Sequence, residues 1–407
     1  MPMDPLDVIT NTEKIVPYYQ AIFSADEQKV IGYEILGRIH MEGEYKSLGF
    51  FFHDDSIPEE YRMEVDDTVV KKALEEMKEL DDDLLIFINR DPNLLMIDHG
   101  ESFLNLLLEE KEKGLDLNRI VLEITEHNYL GDIEQLHHLL TYYRTYGIKI
   151  AIDNIGKESS NLDRIGLLSP DILKIDLQPL KLASPSQSYF DVLFSISLLA
   201  RKIGATLLYE DIEANFQLQY AWKNGGRYYQ GYYLHYPERE FIDRCVLKER
   251  LQQEFNHFIQ FEKKKLETLY SYSDQFHQRV SQLVNKYKKA ISQFDELITH
   301  LAEELGDMSF RIYICDENGF QKSGNIFRKE DRWIFQKEYY MKNWSWRPYF
   351  LENIIRMRVN KKGFLSDLYS DIETGETIRT FSYPLDDDHY LFIDIPYSYL
   401  YEQDGLL

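Results

Sequence analysis

Cysteine is nearly absent. Only Cys245 and Cys315 occur in 407 residues, far apart and without the short spacing of a metal site. That excludes a disulfide framework and a zinc module, and it fits a reducing cytoplasm with both thiols buried. No apolar run approaches the ~20 residues that a membrane helix needs. The first thirteen residues are acidic and lack the basic-then-apolar order of a secretion signal. The expectation is a cytoplasmic protein without a membrane span. Positive charge is also scarce: 46 Lys and Arg against 70 Asp and Glu give a net charge of -24. Such a balance argues against DNA or RNA as a partner. A small phosphorylated ligand stays open, because a few bound cations invert a local field.

What is present is a globular composition, 44% hydrophobic and 29% charged, in a chain too long for one ordinary core. Its periodicity divides it into three stretches. Residues 1–240 alternate short apolar runs with amphipathic ones. The runs are 15–22, 30–36, 84–88, 120–124, 148–152, 172–175, 205–209 and 227–233. Helical patterns such as 65–80 and 133–146 lie between them, the second closed by Gly147 in the manner of a C-cap. Repeated strand–helix order implies parallel sheet. So many units, with no Gly-rich dinucleotide fingerprint after the first strand, favour a closed α/β barrel over an open sheet. Residues 241–308 have almost no Gly or Pro, and apolar residues recur every three or four positions from Leu247 to Leu305. The pattern predicts one long helix, or two joined near 270–273, packed on its own barrel or shared with a second copy in a homodimer. Residues 309–407 read as strands with turns at "DENG" (Asp316–Gly319) and "ETGE" (Glu373–Glu376). This is a small α+β domain with an antiparallel sheet, acting as a sensor for a small ligand or as a dimerisation domain.

In an α/β barrel, function collects at the C-terminal ends of the strands. Those ends carry Glu34, Asn89, Glu123 and Asp153, then Lys174 and Asp176, then Glu210 and Gln230. One polar tip is a common strand-end feature. Oxygen-bearing tips on four strands, followed by a lysine and further acids, form a pattern. Oxygen donors without His or Cys suit Mg²⁺, Mn²⁺ or Ca²⁺. Converging carboxylates without a cation would repel one another and hold their protons more tightly.

These residues resemble the motifs of EAL-domain proteins, the bacterial cyclic di-GMP phosphodiesterases. "YEILGR" (Tyr33–Arg38) is similar to the family signature, "YYQAI" to its opening strand and "FIN" to its metal-binding Asn. "LEITE" (Leu122–Glu126), "LKID", "YEDIEA" and "QGYYLHYP" resemble its later elements, so that the likeness spans about residues 14–240. The last hundred residues resemble, more weakly, a PAS or Cache-type module. The resemblance implies a (β/α)₈ TIM-type barrel with one antiparallel strand near its start. It implies metal ligation by Glu34, Asn89, Glu123 and Asp153, with Mg²⁺ or Mn²⁺ active and Ca²⁺ able to bind without turnover. Arg38 would pair with a ligand phosphate, with Gln20, Leu36, Asp176 and Gln230 also at the substrate. Lys174 would orient the attacking water, Glu210 would accept its proton, and Glu126 would anchor the loop after the strand that carries Asp153. The reaction implied is hydrolysis of cyclic di-GMP to linear pGpG.

The chain departs from the family in one place above others. Where the family reads DDFGTGYSS, this sequence reads "DNIGKESSN" (Asp153–Asn161). The second acid is Asn154, and the loop carries Lys157 and Glu158. An amide removes one formal charge that two closely spaced cations need between them. One cation is expected to survive and the second position to be weakened at Asn154. Two classes follow: a phosphodiesterase of low or regulated turnover, or a cyclic di-GMP receptor that signals through its C-terminal domain. Retained Glu210 and Lys174 favour the first, because a receptor has no need of a base.

Overall fold

The computed structural model describes residues 4–404 apart from 126–127, 156–161, 182–186, 288, 290–292, 331 and 349. The chain divides into two compact units, Met1–Asn256 and His257–Leu407.

The first unit is a closed barrel. Its strands are β1 (Ile15–Ser24), β2 (Val30–Met41), β3 (Glu44–Ser47), β4 (Leu85–Asn89), β5 (Ile120–Ile124), β6 (Lys149–Ile155), β7 (Ile172–Asp176), β8 (Thr206–Glu210) and β9 (Tyr228–Tyr229). The order is β1-β9-β8-β7-β6-β5-β4-β2, and β1 pairs back onto β2 to close it. β1 runs antiparallel to both neighbours, and β3 hangs on β2 outside the ring. The other barrel pairings are parallel. β5 and β7 are buried along their whole length, as strands covered on both faces must be.

Alternation along these strands builds the site's floor. Phe87, Val121, Ala151, Ile172 and Leu208 pack together with Ile22 and Ile31 inside the barrel. Each of the first five lies two residues before a predicted site residue: Asn89, Glu123, Asp153, Lys174 and Glu210. A period of two puts each pair on one face, so an apolar layer underlies a polar one. Helices cover the outside, among them Glu59–Met77 and Ile133–Arg144, the latter started by Asp132 accepting the Glu134 amide. Gly147 follows with φ +89°, the left-handed conformation that its place after the helix requires.

A helix from Lys248 to Lys286 runs out of the first unit into the second, followed by a helix at Phe294–Glu304. It does not break at 270–273. Tyr and Ser there cost only tenths of a kcal/mol in a helix interior. Phe276, Val280 and Val284 go into the core of the second unit, and Ser273 Oγ accepts the Leu365 amide at 3.3 Å. Cys245 also departs from expectation. It is exposed while Cys315 is buried, because it sits in the irregular segment before the long helix, where its amide is held by Asp243.

The second unit carries β10 (Arg311–Asp316), β11 (Asn325–Lys329), β12 (Arg332–Gln336), β13 (Phe364–Leu365), β14 (Tyr369–Ser370), β15 (Thr377–Pro384) and β16 (His389–Pro396). They form an antiparallel sheet in the order β12-β11-β10-β16-β15-β13, with β14 on β15. Ile312 and Ile314 face the two helices just named, while Tyr313 and Cys315 face the helix Phe350–Asn360. Both predicted turns form, with Gly319 at φ +87° and Gly375 at φ +71°. Beside the sheet, buried Arg311 holds Asp371 through two hydrogen bonds of 2.9 and 2.8 Å, Asp394 at 2.9 Å and Glu373 at 3.1 Å. Asp371 and Asp394 are themselves buried. Arg311→Met would leave two buried carboxylates without their cation, and should destabilise this unit by about 3–5 kcal/mol. Chemical denaturation of the full chain measures it; a loss below about 1 kcal/mol would contradict the assignment.

Candidate active site

Eight of the predicted residues meet at one end of the barrel. Register brings Asn89 level with Glu123, Asp176 level with Glu210, and Gln20 level with Glu34. Lys174 lies two residues short of the end of β7, and its long side chain carries the ammonium to the level of the tips. There Nζ contacts Glu123 at 2.9 Å, Glu34 at 3.2 Å, Glu210 at 3.2 Å and Asp153 at 3.4 Å. Lys174 is 1% exposed and Glu123 is fully buried.

Four carboxylates thus share one ammonium. Burial works against the charge of Lys174, but Asp153, Glu123, Glu210 and Glu34 hold it protonated well above the ordinary lysine range. Burial pushes the Glu123 carboxyl well above the usual carboxylate range; Lys174 opposes this, and Glu34 and Asp153 add to it. Glu210 is raised in the same way, by burial first and then by Asp153.

Amides complete the ring. Asn89 Nδ2 donates to Glu34 Oε1 at 2.6 Å, and Gln230 Nε2 donates to Glu34 Oε2 at 2.6 Å. Asn154 Nδ2 donates to Asp153 Oδ2 at 2.7 Å. Asn154 has φ +60°, a region that Asn and Asp tolerate better than other side chains. The register between β6 and β7 shifts between Ile152 and Ile155, so Asp153 and Asn154 lie in a bulge of the kind that re-aims side chains beside active sites. Asn154 here supplies a donor to Asp153, where an acid would supply a second charge.

Among the described residues, Glu123 Oε1 and Gln230 Oε1 are buried without a hydrogen-bond partner, and Asp153 Oδ1 has only its 3.4 Å ion pair with Lys174. Buried polar atoms are nearly always paired, and under-satisfied oxygens in one negatively charged cluster suit a hard cation. Among the described residues no three acidic or His/Cys side chains converge on a single ligand point. The carboxylates are drawn to Lys174 instead. The residues therefore fit a divalent cation in chemistry, since Glu34, Asn89, Glu123 and Asp153 all bring oxygen atoms to this end of the barrel.

Other predicted residues lie around this cluster. Asp176 is buried and accepts the Gln178 amide at 2.6 Å. Gln20 and Leu36 are half-buried on β1 and β2. Arg38, also half-buried, has no carboxylate partner among the described residues. Its Nη1 donates to Gly37 O at 2.9 Å, and its guanidinium lies 5.4 Å from the Tyr18 ring centroid. Glu126, Lys157 and Glu158 fall outside the described residues. The sequence reading passed over three aromatics. Tyr18 lies under Arg38. Tyr232 and Tyr236, just after Gln230, are exposed and stack at 4.7 Å and 29°, and Tyr232 is within electrostatic reach of Arg38. The density of tyrosine in "YYQGYYLHY" was visible, but their stacking depends on the turn after β9.

Removing the ammonium tests this arrangement. Lys174→Met should destabilise the metal-free protein by about 3–5 kcal/mol at neutral pH. Glu123 and Glu210 already bind protons more tightly folded than unfolded, and without Lys174 that gap widens. The deficit should therefore grow as pH rises and shrink toward pH 5. Denaturation in chelator at pH 5 and pH 8 measures both; an equal deficit at the two values would contradict the charge account.

Comparison with known proteins agrees with this geometry. The EAL domain model matches residues 7–237, and the model of an EAL-domain associated signalling protein domain, YkuI_C, matches residues 241–407. The uncharacterized EAL-domain containing protein YkuI of Bacillus subtilis is 68% identical over 406 residues, 100% of each chain. The crystal structure of Bacillus subtilis YkuI in complex with c-di-GMP and calcium superposes with a TM-score of 0.96 at 66% identity, covering all of both chains. Cyclic di-GMP phosphodiesterase PdeA of Borreliella burgdorferi is 30% identical over 228 residues, which are 54% of this chain and 33% of that protein. With a barrel closed by one antiparallel strand and its acids gathered on a lysine, the chain belongs to the EAL domain family.

Proposed function

We propose that the barrel binds cyclic di-GMP with a divalent cation and hydrolyses one of its two phosphodiesters to give linear pGpG, at a low or regulated rate. The observation that carries this reading is the set of carboxylates from four strands around Lys174, with Glu123 Oε1 and the neighbouring Gln230 Oε1 buried without a hydrogen-bond partner among the described residues. The similarity to YkuI, crystallised with c-di-GMP and calcium, supports the ligand.

Bound among Glu34, Asn89, Glu123 and Asp153, a divalent cation supplies electrostatic polarisation of the phosphoryl oxygens. The protein's own groups do the rest. Arg38 offers a guanidinium fork without a competing carboxylate among the described residues, matched to two phosphate oxygens. Lys174 holds a positive charge at the level of the strand tips and orients the attacking water. Glu210 takes the proton of that water; a carboxylate with raised proton affinity is the stronger base. The water oxygen bonds to phosphorus as the bond from phosphorus to the 3′ oxygen breaks, and that oxygen takes up a proton from solvent and leaves as the hydroxyl of one guanosine. Tyr232 and Tyr236 present a stacked face to a guanine base. Asn154 limits turnover by leaving the second cation short of charge.

The same donor, Asn154 Nδ2 on Asp153, favours a second reading, a receptor that holds cyclic di-GMP without cleaving it. Incubation of the pure protein with cyclic di-GMP and Mg²⁺ or Mn²⁺, read as pGpG, separates the two. Product that disappears in Glu210→Gln supports the enzyme, whereas binding without product supports the receptor.

We also infer that the second unit takes a small ligand, and that the chain forms a homodimer. The long helix turns Phe276, Val280 and Val284 into its own core but leaves Leu266 and Tyr270, one turn apart, exposed for a second copy. A monomer mass at micromolar concentration would refute the dimer. No helix among the described residues is long and apolar enough to cross a membrane.

Arg38→Ala should weaken cyclic di-GMP binding by about 1.5–3 kcal/mol, the range of a charge-assisted hydrogen bond. Calorimetric titration in Ca²⁺ measures it, and an unchanged affinity would remove Arg38 from the site.

A further inference from the structure

The strands that carry Lys174 and Glu210 are joined, just beyond their tips, by a side chain the sequence reading passed over. Asp176 ends β7 level with Glu210 at the end of β8. The next residue on the β7 side, Leu177, donates its amide to Glu210 O at 3.1 Å, so the ladder runs one step past both strands. After Glu210 the chain turns sharply. Asp211 has φ +54°, and Ile212 donates its amide to Gln230 O at 3.1 Å. The helix Asn215–Lys223 follows, and its third residue is Gln217.

Gln217 is fully buried, although glutamine is mostly a surface residue. Its Oε1 accepts the Glu213 amide at 2.8 Å and the Ala214 amide at 3.0 Å, and its Nε2 donates to Leu177 O at 2.9 Å. The two ends of this amide do different work. The oxygen reaches back to the amides before the first helical turn, a task that Glu and Gln perform equally at the third helical position. The nitrogen makes a bond that starting the helix does not require. It holds Leu177, also fully buried, whose own N–H is on Glu210. Glu210 therefore lies between two backbone segments that Gln217 grips at once: Leu177 across the ladder and Glu213 along the chain. The side chain so placed reaches Lys174 at 3.2 Å. A base acts only within hydrogen-bond reach of its proton, and a misplacement of about 1 Å costs on the order of a hundredfold in rate.

We propose that Gln217 is a positioning residue for Glu210: the bond from its Nε2 to Leu177 O fixes the tip of β8 against β7 and aims the carboxylate at the water that Lys174 orients. The proposal rests on the hydrolysis put forward above. Gln217→Glu separates positioning from helix capping, because it keeps an oxygen for the Glu213 and Ala214 amides and sets a second oxygen, in place of the donor, against the Leu177 carbonyl. Gln217→Met keeps the volume and removes all three bonds. The test follows pGpG formation by the full-length wild type and both variants in Mn²⁺, with kcat referred to the number of sites that bind cyclic di-GMP in Ca²⁺ on the same samples, so that unfolded protein does not count. Gln217→Glu should lower kcat per site about tenfold or more and Gln217→Met at least as much, while the affinity of those sites for cyclic di-GMP changes less than about threefold. Unchanged kcat per site in both variants, with activity lost only as binding sites are lost, would make Gln217 a structural cap and overturn the proposal. A loss in Gln217→Met that Gln217→Glu does not share would overturn it too, because the oxygen alone would then suffice. A wild type that binds cyclic di-GMP but forms no pGpG would refute the hydrolysis itself, and the proposal with it.

Discussion

A single buried ammonium sets the terms for the mouth of the barrel. Lys174 touches four carboxylates from β2, β5, β6 and β8, and no other lysine or arginine is paired with any of them among the described residues. At an effective dielectric of about 20, each pair of like charges ~5 Å apart costs on the order of 3 kcal/mol. One lysine offsets part of this, and protonation of buried carboxyls offsets more. The cluster is thereby left acidic, desolvated and partly unpaired, which is the state in which a hard divalent cation binds with the largest electrostatic gain. The apolar layer beneath, from Phe87 to Leu208, makes the effect stronger by excluding water from below.

Within that field Asn154 has an outsized influence for a substitution of one atom. It keeps the backbone turn of the bulge, because Asn and Asp both tolerate its positive φ. It then spends its amide on Asp153 Oδ2. An acid there would release Asp153 Oδ2 and add a charge of its own. The present arrangement suits one cation and discourages a second close by, because two divalent ions need bridging negative charge to offset their repulsion.

Much of this was legible in the sequence. The apolar runs marked the barrel strands, since strands buried on both faces must be continuously apolar, and the polar residues at the ends of several runs come together around Lys174. Other features depended on three-dimensional contacts that no local pattern encodes. That Lys174, deep in β7, serves as counter-ion to four acids follows from side-chain length and barrel closure together. The long helix stops after Lys286 with no nearby glycine or proline to announce it; its course is set by packing of Phe276, Val280 and Val284. Arg311 looks like any other arginine in sequence, and only the fold gives it three carboxylates.

The central claim is that charge at position 154 decides how many cations the site holds and hence how fast it works. The most direct measurement compares wild type with Asn154→Asp, counting bound Mn²⁺ by metal titration and following pGpG formation across the same concentrations. The account predicts about one cation in the wild type, a second in the variant, and faster hydrolysis that rises with that second binding step, with little change in stability. Equal stoichiometry and equal rates in the two proteins would contradict it.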